Sequence, residues 1–79
     1  MNPRQEAAAK KFAASNKVFL ISCGWTAEEA TAEVTFDQVS PKSFQITLIN
    51  RRADGFTTMR LARVGLRGGI SRDRATHHI

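Results

Sequence analysis

Arginine is the residue type in this chain best placed to do chemistry. Arg51, Arg52, Arg60, Arg63 and Arg67 fall in one stretch, and Arg72 and Arg74 follow. A guanidinium is a planar fork that grips a phosphate or carboxylate through two parallel hydrogen bonds, whereas a lysine acts nearer a point charge. The charge is also segregated. Residues 1–40 carry a net charge of −1 and residues 41–79 a net of +6, within a total of +5. Solubility alone would not require that separation. The C-terminal half is therefore expected to meet an anionic partner, either nucleic acid or an acidic protein surface.

Other chemistries lack their residues. Cys23 is the only cysteine, and the only histidines are His77 and His78. No nucleophile has a nearby base, and there is no phosphate-binding glycine loop, dinucleotide fingerprint or Cys/His quartet. Glu28, Glu29 and Glu33 read as the acids of a capped helix rather than as a catalytic pair. The expectation is a binding protein with no catalytic residue, no cofactor and no metal. A lone cysteine excludes an intrachain disulfide and fits a reducing cytoplasm. No apolar run approaches the ~20 residues needed to cross a bilayer. Leu20-Ile21-Ser22-Cys23 resembles a bacterial lipobox, but Asn16 and Lys17 interrupt the apolar stretch of ~7–15 residues that a signal would need.

The elements that must position the arginines follow from local pattern. Asn2-Pro3 reads as a helix start, with asparagine as N-cap, proline at the first helical position and Gln5 three residues beyond the cap. Ala8, Ala9, Phe12 and Ala13 share one stripe, and Phe12 reads as a core anchor. The apolar run Val18 to Ser22 suits a buried strand or the last turns of the same helix. The stripe favours the helix, continuing through Phe19 and Cys23 to a C-terminal Gly24, with Cys23 buried as a small hydrophobe. Thr26 and Glu29 form a capping-box pattern that predicts a second, short helix over Ala27 to Ala32 or Glu33. Trp25, just ahead of that cap, is expected to close one end of the core.

From Glu33 to Arg63 the period changes to two. EVTFDQV, FQITLINRR and FTTMRLAR are alternating runs separated by Ser-Pro-Lys-Ser and Ala-Asp-Gly, which predicts a three-stranded antiparallel meander. Read as a tight two-residue turn, Asp54-Gly55 pairs Leu48 with Leu61 and Asn50 with Met59. Val34, Phe36, Phe44, Ile46, Leu48, Met59 and Leu61 then form the face covered by helices. Ile49, Arg51, Thr58 and Arg60 lie on the other face. A competing reading takes Ser40-Pro41 as the start of a recognition helix, with the hairpin as the wing of a winged helix-turn-helix. The period-two alternation argues against it.

The expected architecture is α+β. One or two N-terminal helices pack on the meander in a single domain over residues 1–64, and residues 65–79 form a flexible tail containing arginine and glycine. With neither disulfide nor metal in a chain this small, self-association into a homo-oligomer is the remaining route to added stability. Arg51, Arg52, Arg60, Arg63 and Arg67 are the expected contacts to a duplex backbone. The absence of tyrosine and of exposed aromatics on that face argues against base stacking. The alternative is a phage- or plasmid-type accessory protein that blocks a host protein or nucleoprotein complex, as anti-CRISPR proteins do. That comparison rests on size and composition alone.

Overall fold

The computed structural model describes residues 1–72, 77 and 78, and shows one helix lying on an antiparallel sheet. The helix, α1, spans Pro3–Ser22. Its start is the expected capping box: Asn2 Oδ1 accepts from the Gln5 amide at 2.8 Å, and Gln5 Oε1 accepts from the Asn2 amide at 2.9 Å. It runs through Val18 without interruption and stops at Cys23, where Gly24 takes the left-handed φ of 94° that ends many helices. The stripe that faces inward is Gln5, Ala8, Ala9, Phe12, Asn16 and Leu20. Cys23 and Phe19, expected on that stripe, are exposed instead. At 3.6 residues per turn both positions still fall on the side of that stripe. Cys23 is the C-cap residue past the last turn, and Phe19 stands 5.8 Å from the Arg60 guanidinium rather than in the core cluster.

The second helix does not form. The Thr26 capping box is present, with reciprocal bonds between Thr26 and Glu29, but it closes a single turn sealed by the Ala30 amide on the Thr26 carbonyl. Strand β1 begins at Glu33, leaving too few residues to repay helix nucleation. Trp25 is buried against Leu20 and Ala30, closing that end of the core as expected.

The sheet contains β1 (Glu33–Ser40), β2 (Ser43–Arg51), β3 (Thr57–Gly65) and β4 (Ile70–Arg72), in spatial order β1-β2-β3-β4. β5 (His77–His78) also pairs with β3, opposite Thr58 and Met59. Residues 40–52 are strand and turn, which overturns the recognition-helix reading. The region expected to be a flexible tail is in part sheet. Gly65 to Gly69 form a turn, and Ile70–Arg72 pair with Ala62–Val64 of β3. The remainder of that expectation, residues 73–76 and 79, lies outside the described residues.

The meander is correct but its register differs by one residue from the expected pairing. Leu48 faces Arg60, and Asn50 faces Thr58. The hairpin closes with the Arg52 amide on the Phe56 carbonyl at 2.8 Å, so the loop is Ala53-Asp54-Gly55, with Gly55 at φ 91°. That is a three-residue loop ending in a left-handed glycine, not a two-residue turn. Shifting by one residue exchanges the faces of β3. Ala62 and Val64 join Ile46 and Leu48 beneath Ala8, Ala9 and Phe12. Met59 and Leu61 move to the open face beside Ile49 and Thr47. Val34 and Phe36 lie on the helix side as expected, yet they remain 38% and 44% exposed because α1 does not reach over β1.

The same register creates a buried polar seam where α1 meets the hairpin. Asn16 Nδ2 donates to Asn50 Oδ1 at 2.8 Å, and Asn50 Nδ2 donates to the Glu29 carbonyl at 2.9 Å. Arg60 donates to Asn16 Oδ1 at 3.2 Å. Asn16 and Asn50 are almost wholly buried, so each bond has a large cost of omission. Asn50→Leu should therefore lower unfolding free energy by about 2–3 kcal/mol in urea titrations. Adding Asn16→Leu should cost clearly less than the sum of the two single changes, because the second removes a donor the first has orphaned.

Candidate binding surfaces

Each arginine is placed by the strand or turn that carries it, and the five do not form one patch. Arg51 ends β2 on the open face, where its guanidinium pairs with Glu33 of β1. Its neighbour Arg52 is committed more deeply. Nε and Nη2 donate to the two Asp54 oxygens at 3.2 and 2.6 Å. The guanidinium carbon lies 5.4 Å from the Trp25 ring centroid and 4.9 Å from that of Phe56. Trp25 and Phe56 meet edge to face, with centroids 6.2 Å apart. This is a structural clamp that fastens the hairpin loop to the turn after α1. Stacked and bidentate, the Arg52 fork has little left to offer a ligand.

Arg60 was expected on the open face but stands on the helix side. It is half-buried, with its guanidinium 5.6 Å from the Phe12 centroid and 5.8 Å from that of Phe19, and it donates to Asn16. Phe19, although 54% exposed, thus serves as a platform for a cation rather than as part of the core.

Arg63 and Arg67 remain. Arg63 is exposed on the open face of β3, opposite Gln45, which in turn faces Asp37. Arg67 is exposed on the β3–β4 turn, beside Lys42 of the β1–β2 turn; both line a shallow depression with Ser43, Gly65, Leu66 and Gly69. The N-terminus of α1 is tied to this same end. Asn2 Nδ2 donates to the Leu66 carbonyl at 2.9 Å, and a Cβ on Gly68 would stand 3.0 Å from the Arg4 carbonyl oxygen. With φ at 82°, Gly68 is held by both conformation and close approach. Arg4, Lys42 and Arg67 therefore share one end of the sheet with the positive pole of a twenty-residue helix. Among the described residues none of these three, nor Arg63, makes an ion pair. Lys42 and Arg4 were not among the expected contacts. The Ser-Pro-Lys-Ser turn signal could have identified Lys42, but the helix N-terminus meets the β3–β4 turn only through tertiary packing.

Charge is thus polarised in space. At the hairpin end two arginines are matched by acids, Arg51 by Glu33 and Arg52 by Asp54, while Arg60 donates to Asn16. Glu29 there also accepts from the Ala53 amide at 2.8 Å and the Thr26 amide at 3.0 Å. The Ala53 bond, and then the Thr26 bond, hold the Glu29 carboxyl below its ordinary value. Asp54 is lowered first by the Arg52 hydrogen bond and then by the Phe56 amide. No helix of the described residues is long and apolar enough to cross a membrane.

The two depressed carboxyls fix the sign of an acid effect. A group whose pKa is lower folded than unfolded stabilises fully above its unfolded pKa, and that contribution is lost as pH falls through the folded value. Melting temperature should hold from neutrality to about pH 5 and drop below about pH 4. The pair Glu29→Gln and Asp54→Asn should melt lower than wild type at pH 7 and show a shallower fall below about pH 4. No protein-family model, curated protein or solved structure matches this chain.

Proposed function

We propose that this chain is a small non-enzymatic binding protein that holds an anionic backbone, nucleic-acid phosphates first, against the end of the sheet built from Arg4, Lys42 and Arg67, with Arg63 beside it. The observation that carries this reading is the separation of matched from unmatched charge. Arg51 and Arg52 are neutralised by Glu33 and Asp54, and Arg60 is stacked under the helix. The cations at the opposite end are exposed and carry no ion pair among the described residues. Cations clustered without matched acids release counterions when phosphates replace them, which is the main source of backbone affinity. Among the described residues that surface carries no stacked row of aromatics, so it suits sequence-independent contact with a duplex better than capture of splayed bases.

An acidic protein surface presents similar chemistry to the same cations, as for an accessory protein that covers a host complex. The two readings differ in salt response and stoichiometry. A short DNA duplex titrated by fluorescence anisotropy should bind with a log–log salt slope of about −3, one unit for each phosphate neutralised. The triple change Lys42→Ala, Arg63→Ala, Arg67→Ala should flatten that slope by about two to three units, while Arg51→Ala should leave it nearly unchanged. Absence of duplex binding even at low salt would end the nucleic-acid reading. Saturable, one-to-one capture of a protein partner by the same cations would replace it.

A further inference from the structure

We propose, resting on the reading of the basic end as a duplex site, that α1 lays its outer face in the major groove of B-form DNA. Double-stranded DNA, rather than double-stranded RNA, is then the partner. The helix carries Arg4, Lys10, Lys11 and Lys17 against a single acid, Glu6. That surplus is hidden in the charge of the N-terminal half, because Glu28, Glu29, Glu33 and Asp37 all lie beyond the helix. Among the described residues none of the four cations makes an ion pair. The sheet keeps its own acids off this side of the molecule. Glu33 and Asp37 stand on the open face with Ile49 and Gln45, and among the described residues no acid stands on the helix side of β1, β2 or β3.

The placement of the four cations fits a groove better than a flat surface. At about 100° per residue, the side opposite the buried stripe is centred between Ala7 and Ala14, both exposed. Lys10 and Lys17 then fall about 50–70° to one side of that line, and Lys11 and Arg4 about 50–70° to the other. Packing tells the two flanks apart. Lys10 lines a cleft with Val34 and Phe36 of β1, whereas the Arg4 backbone lies against Gly68 of the β3–β4 turn. Two rows of cations thus border a midline of Ala7, Ala14, Val18 and Ile21, all open to solvent.

A duplex presents two rows of phosphates with a groove between them, which is the complement of that pattern. The B-form major groove is about 12 Å wide and about 8.5 Å deep, and a helix about 10–12 Å across fits it. Raised on the sheet, α1 can seat to that depth while the cations on each flank meet the phosphates of the two strands. Its midline brings methyl groups and no hydrogen-bond donor to the base edges, so the contact reads thymine methyls at most and tolerates many sequences. Arg4 belongs to both surfaces, which makes the helix face a continuation of the basic end. A-form RNA refuses this arrangement, because its major groove is too deep and narrow for side chains to read.

Anisotropy titrations of a DNA duplex and an RNA duplex of the same sequence, over a range of salt, test the proposal. The basic end alone carries a log–log salt slope of about −3. With α1 in the groove, Lys10, Lys11 and Lys17 add their phosphates and steepen the slope on DNA to about −6, while RNA keeps about −3. The triple change Lys10→Ala, Lys11→Ala, Lys17→Ala should return DNA to about −3 and leave RNA as it was, with an unchanged circular dichroism spectrum. Dimethyl sulfate reads the groove directly. The wild-type complex should lose methylation at guanine N7, in the major groove, and keep it at adenine N3, in the minor groove. A DNA slope near −3 that ignores the triple change overturns the proposal and leaves the basic-end reading standing. Equal slopes on DNA and RNA, or loss of methylation at adenine N3 instead of guanine N7, overturn it as well. Failure to bind either duplex ends both readings and leaves the cations to an acidic protein surface.

Discussion

The three-residue loop Ala53-Asp54-Gly55 sets the register on which the rest of the structure depends. Asp54 Oδ1 accepts from the Phe56 amide while both its oxygens accept from Arg52, and Gly55 supplies the positive φ that closes the turn. With the loop fixed, Asn50 must face Thr58, and Leu48 must face Arg60. Every later assignment follows from that pairing. Ala62 and Val64 fall under the helix, Arg60 comes within reach of Phe12 and Asn16, and Met59 and Leu61 are left on the open face. A slip of one residue would put Met59 and Leu61 under α1 and strand Asn16 without its partners. The loop is in turn held from outside. Trp25 and Phe56 flank Arg52, and Glu29 accepts from the Ala53 amide.

What the sequence revealed was local. The N-cap at Asn2, the glycine stop at Gly24 and the period-two runs depend on a few adjacent residues, and all appear where their signals stand. The register was hidden because Asp54-Gly55 serves two turn types, and because both faces of β3 offer apolar groups. Met59 and Leu61 outweigh Ala62 and Val64 in hydrophobicity, so a reading by side chain alone favours the wrong face. Helix packing decides otherwise, since a stripe containing Ala8 and Ala9 brings α1 close to the sheet and fits Ala62 better than a leucine. β4 was invisible because Ile70-Ser71-Arg72 is too short to show alternation after a glycine-rich turn. For the arginines, composition correctly indicated a basic half but not which members are neutralised. Arg51 and Glu33 lie far apart in sequence and meet only because β1 and β2 pair.

The fates of the arginines also explain how so small a chain holds together. Four of the ten buried hydrophobic residues among those described are alanines, which bury little area each. The buried apolar cluster is concentrated at the end that carries the helix N-terminus, and toward the hairpin it gives way to Asn16, Asn50 and Thr58. There the long aliphatic stems and flat guanidiniums of Arg52 and Arg60 cover aromatic rings that larger aliphatic residues would cover in a bigger domain. Arginine suits this role because its weakly hydrated guanidinium tolerates partial burial better than an ammonium does. The Arg52 charge is balanced locally by Asp54, whereas Arg60 is held by two aromatic rings and its bond to Asn16.

One helix about 10 Å wide cannot roof a sheet whose strands stand ~4.8 Å apart four abreast. Where it lies is decided at its two ends. At the start, Asn2 bonds the Leu66 carbonyl and Gly68 admits the Arg4 backbone, drawing α1 toward the β3–β4 turn. Near its end, Asn16 is held by Asn50 and Arg60, drawing it over β2 and β3. Both anchors lie away from β1, so the uncovered strip is the flank carrying Val34 and Phe36 rather than the flank closed by β4. The exposed apolar edge is therefore a consequence of how the helix is tethered. Moving α1 over β1 would break the polar seam and lift the helix from Ala62 and Val64.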